Sequence, residues 1–260
     1  MNWQQEKNYF LVAVMFFTRI PVPKSTIYSD EALSQSRKYL PLIGVFIAFL
    51  AICTVYVANL LLPLSIAVIL SMLVTMLATG AFHEDGFADC CDGFGCGWHK
   101  EQILTIMKDS RVGSYAVVGL FLLLSLKALS LIEIGKHSLN LLFVCYINGH
   151  ALSRLGASIC VDLLEYVQNQ DDSKTKAITS QKLSITSLIF SGLLLLPCVT
   201  ILVIFEPVLI LTLIPMGIVF IVCCRYFKHR IGGYTGDCLG AIQQILEAIF
   251  YLSALALWTF

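Results

Sequence analysis

Apolar runs close to twenty residues long, separated by short polar breaks, set the pattern of this chain. At about 1.5 Å of rise per residue, a helix needs about 20 apolar residues to cross some 30 Å of hydrocarbon. The runs at about 40–62, 64–82, 113–135, 138–160, 183–205, 207–227 and 241–259 meet that length and predict seven spans. The apolar stretch at 8–20 is too short, and Pro21 and Pro23 end it, so a short interfacial helix is expected there. The expected fold is all-α: a polytopic integral membrane protein of about seven transmembrane helices plus the N-terminal interfacial helix. No internal repeat or linker divides the chain, which predicts a single membrane-embedded domain over 1–260.

Charge supports that order of spans. The polar segments 1–39, 83–112, 161–182 and 225–240 carry Lys7, Arg19, Lys24, Arg37, Lys38, Lys100, Lys108, Arg111, Lys174, Lys176, Lys182, Arg225, Lys228 and Arg230, whereas the intervening turns carry only Lys136. Under the positive-inside rule the N-terminus and the long polar loops are cytoplasmic and the C-terminus lies outside. No cleavable signal is expected, because the apolar core at 9–18 is short and Arg19 and two prolines follow it.

Composition agrees with a membrane chain. The 260 residues are 58% hydrophobic and 13% charged, about half the charged share usual in soluble domains. Seventeen basic and seventeen acidic residues cancel, which gives no sign of a nucleic-acid surface. Of ten cysteines, Cys53, Cys145, Cys160, Cys198, Cys223 and Cys224 lie in or beside apolar runs, where a thiol packs as a small hydrophobe.

The chemistry concentrates in the polar segment 83–113, HEDGFADCCDGFGCGWHKEQILTIMKDSRVG, with Glu84, Asp85, Asp89, Asp92 and Asp109. If its first part is helical, Asp85, Asp89 and Asp92 fall at i, i+4 and i+7 on one face. Such carboxylates repel one another unless a cation sits among them, and oxygen-only ligands suit a hard ion such as Mg²⁺. Asp109, at the start of the next span, is expected to join them, and Lys108 and Arg111 beside it are candidates for phosphate oxygens. Glycines at 86, 93, 95 and 97 allow either close approach to phosphate or plain turns. His83, Cys90, Cys91, Cys96 and His99 form a competing zinc set, disfavoured by the lack of a C-x-x-C pair.

Two basic residues fall within spans. Arg154, one turn after His150, is a functional candidate because a charge at membrane depth is costly unless paired or hydrated. Snorkelling to the interface is its alternative reading. Lys127 lies deeper, with no partner evident in the sequence. The last polar loop, 230–241, adds Thr235 and Asp237 among glycines as a weaker second surface for ligand or metal.

The segment 83–93, MKDSRVG at 107–113 and GGYTGD at 232–237 together resemble the adenosylcobinamide-GDP ribazoletransferase (cobalamin synthase) family. FFTRIPVP at 16–23, PLIGVFIA at 41–48, Ser153 and Arg154 extend the resemblance over nearly the whole chain. It implies a Mg²⁺-dependent transferase of the bacterial cytoplasmic (inner) membrane with a cytoplasmic active site. The reaction joins adenosylcobinamide-GDP to α-ribazole or its 5'-phosphate and releases GMP. It implies Mg²⁺ on Asp85, Asp89, Asp92 and Asp109, with Glu84 completing the site or acting as base on the attacking hydroxyl. Lys108, Arg111, Arg154 and Arg19 are then expected to bind phosphate, and Thr235 and Asp237 to act on the nucleotide or metal side. Expected partners are the lipid bilayer, further copies of the chain and other cobalamin-assembly enzymes. A wide cavity at the cytoplasmic face is expected for so bulky a substrate.

The family is similar in chemistry and helix arrangement to the CDP-alcohol phosphotransferases, whose Asp-x-x-Asp-Gly is met by Asp89, Asp92 and Gly93. Their following Ala-Arg pair is missing, and Gly113 stands where a fourth aspartate is expected. A phospholipid-type enzyme is therefore the alternative within that class. A divalent-cation transporter is disfavoured because the expected spans hold almost no carboxylate except Glu133 and Glu247 near their ends. A scaffold for soluble partners leaves the aspartate spacing unexplained.

Overall fold

A computed structural model describes residues 3–167 and 182–259, so Lys174 and Lys176 lie outside the described residues. Twelve α-helices are present among the described residues. They are α1 (Trp3–Phe17), α2 (Asp30–Ser36), α3 (Leu40–Ala58), α4 (Leu64–Thr79), α5 (Phe82–Cys96) and α6 (Lys100–Met107). The second half contains α7 (Ser114–His137), α8 (Leu139–Leu163), α9 (Ile185–Leu193), α10 (Leu196–Phe205), α11 (Leu213–Ile231) and α12 (Gly236–Thr259). Short 3₁₀ turns at Arg37–Tyr39 and Pro207–Thr212 lead into α3 and α11. The only β pairing among the described residues is a single bridge between Tyr166 and Tyr234.

Five helical stretches are long and apolar enough to cross a membrane, or six when α4 and α5 are taken as one bent pair. The 25-residue α8 is long enough, but Asn148, His150, Arg154 and Asp162 interrupt its apolar run. The 15-residue α1 is helical, as its sequence predicts, and lies outside the candidate spans. The outer faces are apolar, as lipid contact requires: α7 exposes Val117, Val118, Phe121, Leu122, Leu126 and Leu129.

Local chemistry sets the helix ends. Ser29, Ser138 and Ser184 accept backbone N–H bonds at the starts of α2, α8 and α9, each cap contributing about 1 kcal/mol. The sharpest break separates α4 from α5. Gly80 (φ +68°) ends α4 in the left-handed region, and Ala81 (φ +56°) follows in the same region, where a side chain is disfavoured. The two helix axes meet at 91°, so α5 lies across the end of the bundle and holds its polar face at the surface.

Within the bundle α12 packs on α5, α7, α8 and α11, and α3 packs on α4 and α8. The contact between α5 and α12 is backbone-close. A Cβ on Gly86 would lie 2.9 Å from the Asp237 carbonyl oxygen, and one on Gly240 would lie 3.0 Å from the His83 carbonyl oxygen. Gly86 therefore serves helix packing, neither a turn nor a phosphate cradle. A second core joins α1, α2 and α3 through Val12, Leu33, Ile43 and Ile47. Glu6 ties α1 to the start of α3 by accepting from Lys38 Nζ (2.9 Å) and Tyr39 Oη (2.7 Å).

Candidate active site

The helix predicted from the aspartate spacing is present as α5. Asp89 is half-buried on it, Asp85 is exposed, and Asp237 enters from the first turn of α12 across the Gly86 contact. Burial, followed by the negative charges of Asp237, Asp85 and Asp92, pushes the Asp89 carboxyl up to about 7. Asp89 thus sits in a field of like charge. Oxygen donors alone, gathered with like charge, fit a hard divalent ion that keeps several of its own waters. Among the described residues no three His, Cys, Asp or Glu side chains are already arranged around one ion position. Holding an ion therefore requires side-chain rotation, for which the exposed Asp85 is free.

Asp92 serves differently. It is 7% exposed, and its Oδ2 accepts the Gly113 N–H at 2.6 Å while Oδ1 accepts the Ala116 N–H at 2.9 Å. The N-cap of α7 is Gly113, which has no side chain to offer, so Asp92 caps α7 from α5. Asp109 lies apart. Arg111 Nη2 donates to its Oδ2 at 2.6 Å, and this bond with the Arg111 backbone N–H holds the carboxyl down at about 2. Lys108 is exposed, and the Arg111 side chain is 88% exposed. Arg19 is also exposed and lies over Gly80 at the α4–α5 break. Thr235 caps α12, accepting the Cys238 N–H at 3.3 Å, and its hydroxyl lies 3.3 Å from Asp237 Oδ2.

Glu84 faces the bundle interior. Its Oε1 accepts from Gln244 Nε2 at 2.9 Å, and its buried Oε2 has no partner among the described residues. Gln244 Oε1 accepts from Lys127 Nζ at 2.9 Å, and Lys127 pairs with Glu247 Oε1 at 2.6 Å. Glu247 Oε2 meets His150 Nδ1 at 3.0 Å, Gln243 Nε2 at 2.6 Å and Arg154 Nη1 at 3.8 Å. Arg154, 2% exposed, is thus a buried network member and does not snorkel. Lys127 does have a partner, and Glu247 lies deep in the helix packing. The available signal was the polar trio Gln243, Gln244 and Glu247 within an otherwise apolar last run, opposite in charge to Lys127 in another.

The competing zinc residues scatter: His83 packs under Gly240, the Cys90 thiol hydrogen-bonds that of Cys238, Cys91 packs on Gly119, and Cys96 and His99 are exposed. Two large cavities, about 630 and 580 Å³, flank α1 and are not lined by the aspartates.

The described residues are helical, with several helices long and apolar enough to cross a membrane, and Asp85, Asp89 and Asp237 lie where α5 meets the start of α12. A family model described as cobalamin-5-phosphate synthase matches residues 9–256. Similar curated proteins are adenosylcobinamide-GDP ribazoletransferases. That of Shewanella frigidimarina is 43% identical over 98% of this chain and 97% of its own length. Those of Shewanella amazonensis and Leptospira interrogans are 39% and 38% identical over 99% and 98% of this chain and 98% and 97% of their own. No solved structure matches. The chain belongs to the cobalamin-5-phosphate synthase family and is a transferase of cobalamin biosynthesis.

Proposed function

We propose that this chain joins adenosylcobinamide-GDP to α-ribazole or α-ribazole 5'-phosphate in a Mg²⁺-dependent reaction that releases GMP. A ribazole hydroxyl oxygen forms a bond to the phosphorus on the cobinamide side, the bridging P–O bond breaks, and GMP leaves. The observation that carries the reading is the meeting of Asp85, Asp89 and Asp237 at the α5–α12 contact, with Asp89 raised to about 7 by burial and its acidic neighbours.

Asp85, Asp89 and Asp237 would hold the metal, with the remaining lone pairs of Asp92 beside them. Bound Mg²⁺ would neutralise charge on the diphosphate as the leaving phosphate departs. Asp92 keeps α7 seated on α5, and Thr235 fixes the start of α12 that carries Asp237. Glu84, with one carboxylate oxygen unpartnered, takes the proton of the attacking hydroxyl. Lys108, Arg111 and Arg19, all exposed, would meet phosphate oxygens, with Asp109 orienting Arg111. Arg154 contributes charge from below.

The reading includes a bacterial inner-membrane location with cytoplasmic N-terminus and active site. It takes α8 as a seventh span and the helix arrangement as like that of the CDP-alcohol phosphotransferases. The test is GMP release by the purified protein and its Asp89→Asn variant. Loss of at least about 100-fold in the folded variant is expected, and a wild-type rate would overturn the assignment.

A further inference from the structure

Inside the bundle, the chain Lys127–Gln244–Glu84 crosses three helices, α7, α12 and α5, through two bonds of 2.9 Å. Its polarity is fixed by chemistry. Lysine can only donate, so Gln244 must turn its Oε1 toward Lys127, which leaves Nε2 to face Glu84. Lys127 is itself fixed by Glu247 at 2.6 Å, and Gln244 Nε2 also bonds Gln243 Oε1 at 3.0 Å. One oxygen of Glu84 is therefore pinned.

The other oxygen, Oε2, is buried without a donor among the described residues, on a residue that is 8% exposed. An unsatisfied buried carboxylate oxygen is costly and calls for a donor in the working protein. Arg154 Nε is likewise buried and without a partner among the described residues, and Glu84 and Arg154 lie in each other's field. An acceptor and a donor left open in one region match a group that both donates and accepts, which is what a hydroxyl does.

We propose that Gln244, oriented by Lys127, is a positioning residue for the transfer reaction: it holds Glu84 so that Oε2 meets the attacking hydroxyl. The inference rests on the reading of Glu84 as the group that receives that hydroxyl. A merely structural polar clamp would change stability alone, and its effect would not depend on Glu84. Positioning acts through Glu84, lowers kcat and disappears when Glu84 is disabled.

The experiment is steady-state GMP release by the detergent-purified full chain as wild type, Gln244→Leu, Glu84→Gln and the double variant, with a thermal midpoint for each. Gln244→Leu is expected to lower kcat about 10- to 100-fold, with KM for both substrates changed less than about twofold. Added to Glu84→Gln it should cost less than a further factor of about two. If the two losses multiply, the positioning inference falls and Glu84's own role stands. If Glu84→Gln retains the wild-type rate, the reading of Glu84 falls and takes the inference with it. Should Gln244→Leu fail to fold, Gln244→Asn keeps the amide one methylene short of Glu84. A smaller kcat loss, also absent in the Glu84→Gln background, is then expected. A wild-type kcat in Gln244→Asn or in folded Gln244→Leu would overturn the proposal.

Discussion

Replacing Asp92 with alanine should separate its packing role from the chemistry of its neighbours. Its two oxygens accept N–H bonds at 2.6 and 2.9 Å from Gly113 and Ala116, and α7 has no cap of its own. Each orphaned N–H costs about 1–3 kcal/mol, and loss of the carboxylate from a helix N-terminus adds about 0.3–1 kcal/mol. Together these give roughly 2–7 kcal/mol, a fall in thermal midpoint of about 5–30 °C at about 2–4 °C per kcal/mol for chains of this size. Asp92→Asn keeps an acceptor for one N–H and should lose about half as much. The assay is thermal unfolding of the detergent-purified variants without metal. An Asp92→Ala midpoint within about 2 °C of wild type would refute the capping argument.

Three further outcomes follow from the same geometry. Lys127→Met leaves Glu247 short of its 2.6 Å partner and should destabilise by about 3–5 kcal/mol. Lys127→Met/Glu247→Gln should recover part of that loss, and additive losses in thermal unfolding would contradict the pairing. Asp109→Ala frees Arg111 at the exposed rim and should lower kcat/KM less than about tenfold with an unchanged thermal midpoint; a loss as large as that of Asp89→Asn would make Asp109 a metal ligand. Asp89, raised to about 7, binds its proton more tightly folded than unfolded. The metal-free fold should therefore lose stability as pH rises from about 4 to about 8. Added Mg²⁺ should raise the thermal midpoint more at pH 8 than at pH 5, and equal shifts would contradict cation binding at this face.

Helical architecture and the acidic helix were legible because both depend on local periodicity. The apolar runs predict the helices, and the i, i+4, i+7 spacing places Asp85, Asp89 and Asp92 on one face of α5. Boundaries held less well: the run at 183–205 divides into α9 and α10, and the turn at 80–81 ends α4 before the predicted limit. Division of labour among the aspartates depends on what each meets across helices, which one sequence does not display. Asp92 meets the start of α7, Asp237 meets α5 at Gly86, and Asp109 meets its neighbour Arg111. Lys127 looked solitary because its partners, Gln244 and Glu247, lie more than a hundred positions away. Burial of such a residue is tolerable only when those partners arrive, so its presence in a span was itself the signal of a network.

The most direct measurement is GMP release by the detergent-purified chain given adenosylcobinamide-GDP and α-ribazole, with Mg²⁺ and with excess chelator. Release that requires both the ribazole and the metal, and that Asp89→Asn abolishes, is the expected result. Release that is unchanged by chelator, or activity only with a CDP-linked donor and another alcohol, would contradict the assignment of the aspartate face to this transfer.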